Sequence, residues 1–403
     1  MRIKFAGIIV MTTMIFMDVF ARDVQEDTLT TTEVAQVVKK PWYETIQLRG
    51  YAQLRYNGLF ETNPDLQCSQ CDRSWGGDGG GFFFRRIRMI FFGQIHERIY
   101  MYIQPDFASG GNNFAQIRDA YFDLGLDEKQ EFRLRIGQSK VPFGFENLQS
   151  SQNRIPLDRN DGLNSAVVNE RDIGVFMYYA PSEIRKRFSY LVSSGLKGSG
   201  DYGVVGLGVY NGQTANLAER NKNLHVVGRM TYPWELPSGQ FIEASIQGYT
   251  GKFVINRNPL TDFDQTEFSE FRYGPSIIIY PQPFGIQAEF NWGRGPEYDP
   301  VTNDVKDAPI EGGYVLATYM LKTSKDIFIP FTRYHYYKGG KKFELDATRH
   351  RVKEFEIGVE WQLNKSFELV GMYTISDRTF ENSLNPDNRQ KGRLLRLQAQ
   401  VNF

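Results

Sequence analysis

The last strand of the chain constrains the fold more than any other feature. Leu395, Leu397, Ala399, Val401 and Phe403 alternate with Arg396, Gln398, Gln400 and Asn402. A period of two places the first set on one face of an extended strand and the second on the other. One face is therefore apolar and the other polar along the whole segment.

The same alternation recurs along the chain. Phe355, Ile357, Val359, Trp361 and Leu363 interleave with Glu354, Glu356, Gly358, Glu360 and Gln362. Ile286, Ala288, Phe290 and Trp292 interleave with Gln287, Glu289 and Asn291, and Leu48, Ala52, Leu54 and Tyr56 with Gln47, Arg49, Tyr51, Gln53 and Arg55. A soluble sandwich also alternates. Two features favour a membrane barrel instead. The apolar sets run as deep as a tilted spanning strand of about 9–11 residues requires. Aromatics (Trp234, Tyr280, Trp361, Tyr178, Tyr179) crowd strand ends, where a membrane girdle is expected. Phe403, closing its strand, reads as the assembly signal of an outer-membrane barrel.

The N-terminus carries an address. Arg2 and Lys4 precede an apolar run over 5–17, and Val19-Phe20-Ala21 offers a small-residue cleavage site, so 1–21 reads as a secretory signal peptide. The run is too short for a spanning helix, and nothing later replaces it. Residues 22–44 are polar and read as a periplasmic lead-in to a barrel domain over 45–403. A mean hydropathy of −0.43 does not exclude the membrane, because only every second strand residue meets lipid. With 47 basic and 47 acidic residues, bulk charge points to no nucleic-acid partner. Cys68 and Cys71, spaced as Cys-Ser-Gln-Cys in an exported chain, read as a disulfide staple within a loop. They are too few ligands for zinc.

Connections alternate between short turns, such as Pro281-Gln282-Pro283 and Asn364-Lys365, and long polar segments at 58–81, 140–170, 252–267, 295–310, 338–348 and 378–390. That is the pattern of periplasmic turns and external loops. Both termini should be periplasmic, so the strand count must be even. A direct count gives seventeen. Ile184, Phe188, Leu191 and Val192 recur at helical spacing, however, so 184–194 is assigned to a helix in a periplasmic connection. Sixteen strands remain: 45–57, 82–95, 99–107, 116–125, 130–139, 171–180, 202–211, 223–234, 240–251, 268–280, 284–294, 311–322, 326–337, 349–363, 366–377 and 391–403. The fold class is all-β, a transmembrane antiparallel β-barrel, and so many strands predict a water-filled lumen.

Several stretches resemble the phosphate-selective porin O/P family. They are Phe84-Arg85-Arg86-Ile87-Arg88, Gln104-Pro105-Asp106-Phe107-Ala108, Arg118-Asp119-Ala120-Tyr121, the run from Phe132 through Gly144, Glu170-Arg171-Asp172-Ile173-Gly174-Val175 and the closing strand. The resemblance runs from about residue 45 to the end. It implies a sixteen-stranded outer-membrane barrel, a homotrimer, and a third external loop folded inward to narrow the pore, here 140–170. It also implies anion preference, phosphate included, from basic side chains on the lumen wall. The expected partners are outer-membrane lipid and lipopolysaccharide and small anionic solutes.

Strand phase assigns Arg49, Arg55, Arg86, Arg88, Arg133, Arg135, Arg229 and Arg396 to the lumenal face, where the resemblance implies anion binding, and Lys140, Arg154 and Arg159 lie on the loop that the resemblance implies is the constriction. Arginine suits an anion filter because it is permanently charged and grips oxyanions through two parallel bonds. For the loop cations the competing reading is pairing with Glu146, Asp158 or Asp161. The same phase also carries Glu243, Glu289, Glu354, Glu356, Glu360, Asp119 and Asp123, acidic mainly in later strands, which would fit a transverse field and weaker selection by sign. No regular lysine ladder runs down the strands.

Other signals carry less. The glycine-rich 76–81 lacks the Gly-Lys-Ser/Thr of a phosphate-cradling loop. Asp262, Asp264 and Glu267 lack ordered calcium spacing. His96, His225, His335 and His350 sit in no nucleophile–base context, so no enzyme, cofactor or metal is expected. A general weakly selective porin and a loop-mediated binding or adhesion barrel remain as alternatives.

Overall fold

Alternation of apolar and polar residues produces one closed antiparallel sheet. The structure is a computed structural model that describes residues 41–66, 81–109, 114–259 and 266–403. The signal segment 1–21, most of the lead-in 22–44, both cysteines, the glycines of 76–80 and Asp262 and Asp264 lie outside the described residues.

In chain order the strands are β1 Gln47–Leu59, β2 Gly81–His96, β3 Ile99–Ser109, β4 Phe114–Gly125, β5 Phe132–Lys140, β6 Arg171–Tyr179, β7 Val205–Tyr210 and β8 His225–Glu235. They continue as β9 Phe241–Val254, β10 Glu267–Ile279, β11 Phe284–Asp299, β12 Asp304–Tyr319, β13 Ile327–Gly340, β14 Arg349–Asn364, β15 Phe367–Glu381 and β16 Arg389–Asn402. Leu321–Lys322 prolongs β12 past Met320 onto the same partner, so the ring has sixteen staves. Each strand pairs with its sequence neighbours, and β1 closes the ring on β16 with Tyr51 opposite Asn402 and Tyr56 opposite Leu397. A closed sheet leaves no unpaired edge, which is what a bilayer core demands.

The two faces differ as the alternation requires. Met230 and Ile246 are each 60 % exposed on the outer wall, with Phe355, Ile357, Val359 and Val315 alongside. In water a band of this kind would drive aggregation, whereas lipid solvates it. Trp234 lies on that face, Trp361 stacks on Phe328 at 6.1 Å, and Tyr179 stacks on Phe132 at 4.4 Å. Tyr178 and Tyr280 do not join this girdle: both are buried, and the Tyr280 hydroxyl donates to Glu243 at 2.6 Å. Adjacent residues of a strand face opposite ways, so Tyr178 and Tyr179 could not both have met lipid.

The inner wall departs from a plain water-filled tube. Among the described residues three α-helices interrupt the strand pattern: α1 Phe145–Leu148, α2 Asp161–Asn164 and α3 Ser182–Ser193. The first two lie in the loop between β5 and β6, which is folded into the barrel. Phe143, Phe145, Leu163, Leu157 and Val141 of that loop form a hydrophobic core with inward side chains such as Tyr249, Ile278, Leu316 and Phe331. Protein therefore occupies much of the lumen that the strand count alone predicts to be water.

Candidate functional site, the constriction inside the barrel

The inserted loop is bolted to the wall around its circumference. It leaves β5 at Lys140, which is the last residue of that strand, and its Nζ donates to the Leu148 and Gln149 carbonyls at 2.7 Å each. Gly144, at φ 82, turns the chain inward. The Phe145 and Glu146 amides then donate to the Glu289 carboxylate of β11 at 2.6 and 2.7 Å. Glu146 in turn accepts from the Asn160 amide at 2.9 Å and from Arg333 of β13 at 2.7 Å. Asn160 caps α2 by accepting from the Leu163 amide at 3.2 Å. Arg272 of β10 donates to the Ser165 hydroxyl at 2.7 Å.

Asp161 is the densest anchor. It meets Lys341 at 2.6 Å and Arg378 at 2.9 Å, with His335 at 3.5 Å. Asp161, His335 and Glu354 have the spacing of a metal trio. Arg378 holds both carboxylates, however, and Lys341 adds a second cation to Asp161, which makes the cluster an ion-pair network. Lys341 brings a second external segment inward, because 341–348 packs over the loop rather than projecting from the barrel.

The arginines assigned by phase fall into three groups. Arg49 is exposed at the periplasmic end of β1, with its guanidinium 5.3 Å from the Phe92 ring. Six others face inward and are neutralised there. Arg55 meets Asp158 of the loop at 3.0 Å, and Arg396 meets the other oxygen of the same carboxylate. Arg88 pairs with Asp106 at 2.7 Å, Arg133 with Asp201 at 2.7 Å and Arg229 with Glu243 at 3.1 Å. Arg135 grips Asp123 through two bonds of 2.7 and 2.8 Å and lies 3.9 Å over the Tyr121 ring.

Arg86 differs. One terminal nitrogen donates to Gln53 at 2.8 Å, while its buried Nε has no hydrogen-bond partner and it forms no ion pair among the described residues. Its charged neighbours include the arginines Arg85, Arg88, Arg154 and Arg55, with the Asp106 carboxylate also within electrostatic reach. Arg154, on the loop, donates to the Pro156 and Leu157 carbonyls at 2.9 and 2.6 Å and leaves Nη1 buried without a partner. The third loop cation, Arg159, is paired with Glu170 at 2.7 Å, not with any of the three carboxylates named from sequence.

The acidic side of the expected transverse field is also neutralised locally. Glu356 lies on Arg333, Glu354 on Arg378 and Glu360 on Lys197. Phase alone could not find these pairings, since it fixes the face of a residue but not the register between adjacent strands, and Lys197 comes from a segment that has no period. Arg118, which donates to the Asn169 carbonyl at 3.1 Å, and Arg171, held by Asp119 at 2.9 Å, belong to the same wall and were missed as site residues. Both stand in the resemblance stretches, which was the available signal.

The family model described as "Phosphate-selective porin O and P" matches residues 72–403. No curated protein matches the sequence. Among solved structures, the outer membrane channel DcaP of Acinetobacter baumannii aligns with a TM-score of 0.54 at 14 % identity, over 89 % of this chain and 97 % of that one. A loop-deletion form of OmpT, an outer membrane protein of Vibrio cholerae, gives 0.53 at 10 % identity, over 89 % and 99 %. The anion-selective porin from Comamonas acidovorans gives 0.50 at 9 % identity, over 89 % and 99 %. At these identities the likeness is one of fold.

Proposed function

This chain belongs to the phosphate-selective porin O and P family and is an outer-membrane porin, a channel and not an enzyme; we propose that it passes small anions, phosphate among them, through a constriction charged by Arg86 and Arg154. The observation that carries this reading is that Arg86 on the wall and Arg154 on the loop each combine an unpartnered buried nitrogen with the lack of an ion pair among the described residues. Every other phase-assigned inward arginine has its charge matched by a carboxylate. A buried guanidinium that no carboxylate pairs directly, with other arginines close by, favours an arriving oxyanion that supplies the missing acceptor. The remaining inward arginines act as scaffold: Arg55 and Arg396 fix the loop through Asp158, and the others pair with carboxylates of neighbouring strands or of the β6–β7 connection.

A general porin with weak selectivity is the second reading, favoured by the local pairing of most inward charges. Efflux from proteoliposomes separates the two. Vesicles loaded with a small organic anion should empty faster than vesicles loaded with a cation of equal size. Equal rates would favour the general porin. A homotrimer is part of the proposal and rests on the family resemblance alone. Chemical crosslinking in native outer membranes tests it.

A further inference from the structure

The connection between β6 and β7 does more than join two strands. Glu131, in the turn before β5, accepts from both the amide and the hydroxyl of Ser182 at 2.8 Å, and these bonds hold its carboxyl below the usual range. They fix the start of α3 at the periplasmic end. Ile184, Phe188 and Leu191 bury one side of the helix.

Beyond α3 the chain coils tightly. Gly195, Gly200 and Gly203 have φ of 80, 100 and 74°, and Lys197 itself sits at φ 68°, a left-handed conformation that non-glycine residues seldom adopt. Leu196, Lys197 and Ser199 are buried. The Lys197 Nζ reaches Glu360 of β14 at 2.5 Å. Counting staves from β7 to β14 takes seven steps in a ring of sixteen, so these strands stand on opposite walls. A segment rooted beside β7 and clasped to β14 therefore crosses the lumen. Its Lys197 carbonyl also accepts from Gln149 of the inserted loop at 2.6 Å, so the crossing runs against the periplasmic side of the constriction.

The charges at the far end are uneven. Glu368 of β15 lies within electrostatic reach of both Lys197 and Glu360, and accepts from the Gln400 and Asn402 amides at 3.3 and 3.4 Å. Lys197 is thus the one cation set against two carboxylates among these groups.

We propose that residues 195–204 form a second constriction in series with the loop at 140–170, and that Lys197 is its selectivity-determining residue. Its stem and backbone narrow the passage, and its ammonium offsets Glu360 and Glu368, which would otherwise favour cations at the periplasmic exit. The inference rests on the chain's being a channel, and not on which ion the upper constriction prefers.

Two opposite substitutions test it in planar bilayers under a KCl gradient. Lys197→Gln should raise single-channel conductance and move the zero-current potential toward potassium. Glu360→Gln should also raise conductance but move the potential toward chloride. The exchange Lys197→Glu with Glu360→Lys should return both readouts toward wild type. A merely structural contact would not move the potential in opposite directions. If Lys197→Gln fails to fold, Glu360→Gln alone still carries the test. Folded variants that keep wild-type conductance and potential would overturn the second constriction only. A wild type that passes no current would overturn the channel reading beneath it.

Discussion

Asp158 lies between Arg55 and Arg396, with one carboxylate oxygen on each, and so ties the tip of the inserted loop to the seam where β1 meets β16. All three side chains are almost inaccessible to water, with Arg55 and Arg396 each 1 % exposed. Removing the acid from such a trio should do two things. Asp158→Asn should cost about 3–5 kcal/mol, the usual penalty for breaking a buried ion pair from one side. It should also release two cationic groups toward the lumen. The expected result is a noisier channel whose zero-current potential moves toward chloride, read by single-channel recording. An unchanged potential would mean that Arg55 and Arg396 stay screened without Asp158.

The loop's second bolt is Glu146 on Arg333. Arg333→Met should loosen α1 and widen the pore, because Glu146 keeps only the Asn160 contacts and Glu356 loses its cation. A loss on the order of 3–5 kcal/mol is expected, again from orphaning buried charge. The check is the temperature at which the heat-modifiable folded band disappears on gels, together with a rise in conductance. A lower melting temperature without a conductance change would assign Arg333 to stability alone.

Barrel closure depends on a small contact. Gly50 donates its amide to the Phe403 carbonyl at 2.7 Å and accepts the Phe403 amide at 3.0 Å, so the seam ladder runs to the last residue. A Cβ on Gly50 would stand 2.4 Å from the Arg88 carbonyl oxygen and 2.5 Å from the Phe403 ring. Gly50→Val should therefore cost about 1–3 kcal/mol, as overpacking does. It should lower the yield of folded barrel in detergent refolding, while Phe403→Leu, which keeps an apolar terminus, should lower it less. Equal yields for all three proteins would mean that this contact does not limit closure.

How much of this was legible follows from periodicity. Each of the sixteen strands announced itself locally, because one face meets lipid and the other does not, and most ends fall within a few residues of those read from the pattern. The helix at Ser182–Ser193 was visible for the same reason, its apolar residues recurring at helical spacing. The misread connections lack a lipid face. Segment 295–310 is mostly hairpin, with β11 running to Asp299 and β12 starting at Asp304, and β15 extends to Glu381, because the barrel wall continues beyond the apolar band. Segments 341–348 and 195–204 turn inward with no periodic mark, since polar groups such as Lys341 and Lys197 are buried there by ion pairs. For the arginines, phase identified the inner wall but not whether a carboxylate faced each one. That information resided in loop residues such as Asp158 and in the register between adjacent strands, which sets Arg88 opposite Asp106 and Arg135 opposite Asp123.

The most direct test of the account compares wild type with the double variant Arg86→Gln, Arg154→Gln in planar bilayers, measuring the zero-current potential in a KCl gradient before and after adding phosphate. The account predicts a wild-type potential on the chloride side, a chloride current reduced by phosphate, and loss of both effects in the double variant while conductance persists. A double variant that keeps wild-type selectivity and phosphate sensitivity would contradict it.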